Sequence, residues 1–315
     1  MIKGKSIKGR TPTIGVVAIS APEAKWNPDI FQKGKEALST RGCKIIESQT
    51  IFTNYFYLAE KPEKIADSIK DMFANEKVDM IMCAGGGNCM NKIIPYIDFN
   101  FIKLHYKPFV GISDITAFLL SMLNEGIVSF HGPFVLWNYG VKGTPTDYTH
   151  NNLIDVLNGY IGEFPANSEW KIYQYGNATG KIIGGNISTI CNIVGTQYCP
   201  IDIFNDSILF IEDIGETLAS LDSKLTYLRL LGIFDKIRGV VFGKLPECDP
   251  PEEDMSIDVT DFFDLVFGGY QFPIIYDCDF GHIDNNLCLP LGCNVTIEAN
   301  RKTVPRIILN ESGVN

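Results

Sequence analysis

Three short segments hold the residue types that acyl transfer requires. In Gly111-Ile112-Ser113-Asp114 the apolar run 108–112 passes directly into a serine and then into an apolar helical stretch, 115–124. A glycine at that point lets the chain turn sharply from strand to helix, which exposes the serine hydroxyl beside the helix N-terminus. The N–H of Asp114 would point at the same spot, and such free N–H groups, aided by the helix dipole, suit the oxyanion of an acyl-transfer intermediate. The glycine expected two residues after the serine in an α/β-hydrolase elbow is absent, because position 115 is Ile. The plainer reading is that Ser113 and Asp114 cap the helix and do nothing else.

Ala84-Gly85-Gly86-Gly87-Asn88 closes the preceding apolar run. Consecutive glycines free backbone N–H groups to approach a ligand. No Lys-Ser or Lys-Thr follows as in a P-loop, and the G-x-G-x-x-G dinucleotide pattern is not met. A second oxyanion donor and a bare tight turn are the readings left open. A nucleophilic serine also needs a base, and the histidines are His105, His131, His150 and His282. His282, in Asp279-Phe280-Gly281-His282, follows an apolar run and should sit on a loop at a strand end. His131 is its rival, since it follows the strand 127–130 in the same half as Ser113. His105 and His150 read as surface or connector residues. The base in turn needs an acid to hold its tautomer. Glu212 ends the apolar run 207–211 and answers that need, with Asp213 and Glu216 as neighbours that could serve instead, or all three could cap a helix starting near Thr217.

The elements around these residues follow from apolar periodicity. In the first half, short apolar runs (14–19, 44–47, 78–83, 108–112) alternate with helical stretches. One of these begins at Asn27-Pro28, an N-cap followed by proline at the first helical position. Another, 61–74, places Ile65, Ile69, Met72 and Phe73 on one face. Runs without polar alternation are expected of strands covered on both sides, so the first half is an α/β domain with a parallel sheet and helices on both faces. Functional loops in such sheets gather at the carboxyl ends of the strands, where the glycine turn and Ser113 both fall. From 131 to 180 the rhythm breaks into Gly- and Pro-punctuated sequence, including Gly143-Thr144-Pro145-Thr146, with one helix near 151–158. Strands at 207–211 and 239–242, a Leu-rich helix and a terminal hairpin turning near Asn300-Arg301 make a second, mixed α+β domain. The division is therefore 1–140, a connector 141–179, and 180–315.

Composition removes several classes of function. With 45% hydrophobic and 20% charged residues among 315, the chain can bury sizeable cores. Its net charge of −10 and the lack of a basic block exclude nucleic acid as a partner. The basic start MIKGKSIKGR is followed by an apolar run too short for a signal peptide, and no run is long enough to span a membrane. Nine cysteines form no C-x-x-C pair, which fits reduced thiols in the cytoplasm. Cys278, His282, Cys288 and Cys293 lack the paired spacing of a structural zinc site, so no metal is expected.

Taken together, these segments resemble the serine peptidase family of LD-carboxypeptidases and microcin C immunity peptidases. The likeness is collinear from about Ile14 to Leu309. It runs through Val17-Ala18-Ile19-Ser20-Ala21-Pro22, Gly85-Gly86, Pro95-Tyr96-Ile97-Asp98, Pro108-Phe109-Val110-Gly111-Ile112-Ser113-Asp114-Ile115-Thr116 and His131-Gly132-Pro133. It continues through Gly184-Gly185-Asn186, Leu209-Phe210-Ile211-Glu212-Asp213, Gly281-His282 and Pro290-Leu291-Gly292. The resemblance implies a Ser113, His282 and Glu212 triad, with oxyanion donors at the Gly86 and Asp114 backbone and no metal or cofactor. It also implies a flavodoxin-like N-terminal domain, a C-terminal domain of swivelling β-barrel type, and a homodimer. The substrate class it implies is a small peptide, a muropeptide or a peptidyl or aminoacyl nucleotide, cleaved at a terminal amide.

Many members have Arg-Gly-Gly-Tyr-Gly where this chain has Ala84-Gly85-Gly86-Gly87-Asn88, so a contact made by that arginine is lost. The stretch 279–284 and Trp170 are more similar to the microcin immunity branch, where connector tryptophans stack on the nucleobase of the substrate. Trp170 is accordingly a candidate substrate contact, with packing over a domain edge as the alternative. Two other classes stay open: a cysteine-dependent, amidotransferase-like enzyme using Cys83 or Cys89, and a two-lobed binding protein without catalysis.

Overall fold

The computed structural model describes residues 1–7, 12–141, 146–248 and 259–315. Its strands are β1 (Thr13–Val17), β2 (Lys44–Glu47), β3 (Met80–Cys83), β4 (Phe109–Gly111), β5 (Ser129–His131), β6 (Gly162–Glu163) and β7 (Lys171–Gln174). They continue with β8 (Gly176–Asn186), β9 (Ser207–Glu212), β10 (Gly239–Gly243), β11 (Ile274–Cys278), β12 (Leu289–Leu291), β13 (Asn294–Ala299) and β14 (Arg306–Leu309).

The first sheet has the order β12-β5-β4-β3-β1-β2. Its five N-terminal strands are mutually parallel, in the flavodoxin-like order that places a switch point between β1 and β3. Every residue of β3 and β4 is buried, as the unbroken apolar runs require. The helix Pro62–Ala74 buries Ile65, Ile69, Met72 and Phe73. Burial of each such side chain contributes roughly 1.5–3 kcal/mol. The helix Pro28–Thr40 starts on its proline, but Asn27 does not cap it with its side chain, which instead donates to the Glu23 carbonyl.

The second sheet is mixed and eight-stranded, in the order β6-β14-β13-β8-β9-β10-β11-β7. Strands β8 to β11 are parallel, while β13, β14, β6 and β7 run antiparallel to their neighbours. Strands β9 and β10 are fully buried.

Two features depart from the division expected from sequence. The segment 141–179 is more than a connector, for besides the expected helix (Asp147–Leu157) it supplies both edge strands, β6 and β7, of the second sheet. Strand β12 leaves the C-terminal half and pairs antiparallel with β5, extending the first sheet. Strands β6 and β12 are too short to show a period, and their pairing is decided by partners more than a hundred residues away. Of the punctuation read in this segment, Gly143-Thr144-Pro145 lies outside the described residues.

Candidate active site

Strand β4 ends at Gly111, and two residues later Ser113 takes φ +66°. A non-glycine residue in that region is strained, and such strain gathers where a side chain must be presented. Ser113 opens a short 3₁₀ turn that runs into the helix Thr116–Asn124, and no side chain caps that turn. The capping role that sequence left open for Ser113 is therefore not what the structure contains. Asp114 turns inward, where its carboxylate accepts from Ser20 Oγ, Cys89 N (2.8 Å) and Met90 N (2.7 Å). Burial pushes its pKa up against those bonds. The side chain thus ties the turn carrying Ser113 to the loop after β3, a role that sequence reasoning missed.

That loop is the glycine turn. A Cβ on Gly86 would lie 3.0 Å from Ser113 Oγ, so only glycine lets the two backbones approach this closely. The Gly86 N–H is not free, however, because it donates to Glu23 Oε2 at 3.2 Å. Glu23 carries no signal in the periodicity of the chain, and its approach depends on Gly85, where a Cβ would meet the same carboxylate oxygen at 1.8 Å. Burial raises the Glu23 pKa, opposed by the Gly86 N–H and by His282.

The candidates for acid and base come from the second sheet and the loop after β11. Glu212, the last residue of β9, is fully buried, and its Oε2 lies 2.6 Å from His282 Nδ1. Gly281, at φ +116°, makes room for this contact, since a Cβ there would sit 3.2 Å from Glu212 Oε2. Burial alone would raise the Glu212 pKa, but His282 and His131 outweigh it and lower it to about 2. Burial likewise acts to lower the His282 pKa, and the Glu212 carboxylate overcomes it, so the net shift is upward. Such an imidazole is oriented through Nδ1, which leaves Nε2 for a substrate or nucleophile.

The other carboxylates have different work. Asp213 accepts from Asn186 Nδ2, Ser188 and Ile214 N, and Glu216 from Ser188, Ser220 and Lys224. The helix Leu218–Leu230 is capped by Thr217 itself. His131 is fully buried against the Phe210 and Phe280 rings, with its Nε2 3.6 Å from Glu212 Oε1. It stands behind the acid and not at the cavity. His105 is exposed and stacks on Phe101. His150 is buried with Nδ1 3.3 Å from Tyr139 Oη, and burial lowers its pKa to about 4.

Ser113, His282, Gly86 and Glu23 line one cavity of about 330 Å³, together with Ile30, Phe134, Leu136 and Trp137. A second cavity of about 490 Å³ adjoins it through Ser113 and Glu23 and is bounded by Trp26, Tyr57 and Cys89. The nucleophile candidate therefore lines both spaces. Trp170 lines neither. It is buried, and its indole N–H donates to Asp279 Oδ2 at 2.7 Å, in a clamp that also takes Asn167 N and Ser168. Its expected place over the substrate gives way to packing, because a tryptophan beside an inward-facing carboxylate satisfies both its apolar body and its N–H. Cys83 is buried with its pKa driven well up, and burial and Asp114 raise that of Cys89. Neither thiol is set to ionise, which disfavours cysteine chemistry. No group of His, Cys, Asp and Glu among the described residues is arranged to hold a metal ion. No helix among them is long and apolar enough to cross a membrane.

The pattern of the LD-carboxypeptidase N-terminal domain matches residues 14–132, and that of the LD-carboxypeptidase C-terminal domain matches residues 179–297. The chain belongs to the LD-carboxypeptidase family. By that membership it is a carboxypeptidase-type hydrolase. It is 26% identical to the microcin C7 self-immunity protein MccF of Escherichia coli, over 93% of this chain and 92% of that protein. It is 23% identical to the murein tetrapeptide carboxypeptidase of Pseudomonas aeruginosa, over 92% and 95%. The solved structure of wild-type MccF without ligand superposes with a TM-score of 0.92 at 24% identity, covering the whole of both chains.

Proposed function

We propose that this LD-carboxypeptidase family member is a serine hydrolase in which Ser113 attacks the carbonyl of a terminal amide. The observation that carries the reading is the 2.6 Å contact between buried Glu212 and His282, with His282 on the wall of the cavity that Ser113 enters. His282 takes the Ser113 proton as the Oγ–carbonyl bond forms and passes it to the leaving amine as the C–N bond breaks. Water, deprotonated by the same imidazole, then attacks the acyl-serine, releasing the acid and restoring the hydroxyl. Glu212 holds the Nδ1 proton and stabilises the imidazolium. The Gly86 and Asp114 N–H groups receive the oxyanion, and for Gly86 this requires Glu23 to give way.

Two named relatives bound the substrate class. One is a murein tetrapeptide carboxypeptidase. The other, MccF, has been solved with aspartyl sulfamoyl adenosine and with glutamyl sulfamoyl guanosine. A small peptide or an aminoacyl nucleotide fits two adjoining cavities of this size. Cytoplasmic residence and a homodimer belong to the same reading. Nine unpaired cysteines fit a reducing compartment, and the dimer is checked by light scattering. The decisive experiment is fluorophosphonate labelling with peptide mapping, alongside hydrolysis of a murein tetrapeptide and of aspartyl-sulfamoyl adenosine. Labelling at Ser113, and turnover that Ser113→Ala reduces by roughly 10⁴-fold or more, is expected. A Ser113→Ala protein keeping a tenth of the turnover would exclude covalent catalysis by this serine.

A further inference from the structure

Glu23 contributes the one carboxylate lining the two cavities beside Ser113, and no lysine or arginine lines either among the described residues. We propose that Glu23 selects substrates carrying a primary ammonium group close to the scissile carbonyl. The proposal rests on the Ser113 hydrolase reading and names the substrate class of that site.

Among the described residues the carboxylate is held by a single hydrogen bond, from Gly86 N–H to Oε2, and Oε1 takes none. Its surroundings favour the charged form poorly, since burial is the largest influence on it. Trp26 and Tyr57 line the second cavity together with Glu23, with about half of each side chain exposed. An aromatic face in a cavity that also holds a carboxylate makes a seat for a cation. Lys92 already takes the Tyr57 end, its Nζ donating to Tyr57 Oη at 3.0 Å and lying over that ring, so the aromatic face left for a substrate cation is that of Trp26.

The same carboxylate occupies the N–H that a substrate oxyanion needs. When a carbonyl oxygen takes Gly86 N–H, Glu23 loses its bond and faces a developing negative charge. An ammonium group on the substrate replaces the lost partner and offsets that repulsion. A neutral substrate leaves the carboxylate desolvated and unpaired, which is the costly outcome for a buried charge. Selection therefore comes from compensation at Glu23 as much as from attraction.

The test compares second-order labelling rates of Ser113 by an aminoalkyl fluorophosphonate and by its N-acetyl counterpart, with Ser113→Ala setting the background. The wild-type protein should favour the ammonium probe by about tenfold to a hundredfold, the range of one charge-assisted hydrogen bond. Glu23→Gln should bring the ratio to within about twofold, and Glu23→Asp should keep the ammonium preference, which separates charge from packing. An equal ratio in wild type and Glu23→Gln, or a wild-type preference for the N-acetyl probe, would overturn the proposal while leaving the hydrolase reading intact. Labelling of Ser113 by neither probe would overturn the hydrolase reading and this proposal together.

Discussion

Replacing Glu212 by Gln removes one charge from the centre of the site while keeping its shape. The carboxylate is fully buried, 2.6 Å from His282 Nδ1 and 3.6 Å from His131 Nε2. With the carboxylate and imidazolium charge centres about 4 Å apart and an effective dielectric of about 20, the attraction is about 4 kcal/mol. That attraction is present when His282 is protonated in the transition state and absent when it is neutral, so its loss slows catalysis by about 10³-fold. The amide can also donate to Nδ1 and flip the tautomer, taking the loss toward about 10⁴-fold. Because Glu212 raises the His282 pKa, and the base acts when neutral, wild-type kcat/KM should climb with pH through a value above the ordinary imidazole 6.5. In Glu212→Gln the climb should move to lower pH, since burial is then opposed only by Asp213 and Glu23. Stability follows its own sign. The Glu212 pKa is lowered from 4.5 to about 2, so its contribution is present above 4.5 and is lost as pH falls through that window. The variant should lack this acid loss. At neutral pH the variant lacks that contribution while leaving no uncompensated charge beside a neutral His282, so Tm should fall by several degrees without unfolding the protein. The assay is hydrolysis, or fluorophosphonate labelling, from about pH 5 to 9, with a thermal melt on the same sample. A variant keeping a tenth of the rate, or an acid limb that does not move, would refute the role assigned to Glu212.

Other substitutions probe the supports of the site. Trp170→Ala should lower stability by about 3–5 kcal/mol, the lost indole donor to Asp279 adding to the cavity, and should slow all substrates alike; a KM rise confined to nucleotide substrates, with an unchanged melt, would restore a substrate role. Gly281→Ala places a Cβ against Glu212 in a left-handed conformation, so kcat should fall at least tenfold with a lower Tm, and wild-type turnover would show the contact to be unimportant. Asp114→Asn loses an acceptor shared by Ser20, Cys89 and Met90. It should slow Ser113 labelling by about tenfold at roughly 1–3 kcal/mol lower stability, whereas an unchanged labelling rate would show that the glycine turn holds its place without the tie.

The local elements were legible because their signals are local. Strands β3, β4, β9 and β10 are buried on both faces and read as unbroken apolar runs, and the Gly111-x-Ser113 turn advertises itself through the glycine and the helix that follows. Glu212 and His282 were legible as residues closing apolar runs, and their collinearity with a known family narrowed the choice among several carboxylates and histidines. What no local pattern contained is which distant groups meet. Tertiary packing alone put Glu23 on Gly86 across 63 residues, Trp170 on Asp279 across 109 and His131 behind Glu212. It also carried β12 back to the edge of β5. The last two depend on how the two halves dock and the first two on packing within each half, and a single buried polar contact of this kind leaves no periodicity behind. The amino-acid sequence by itself therefore determined the elements and the chemistry they can offer. Packing within each half decided which carboxylate meets His282, which one takes the Gly86 N–H and which one receives the Trp170 indole, and the docking of the halves brought His282 to the cavity that Ser113 lines.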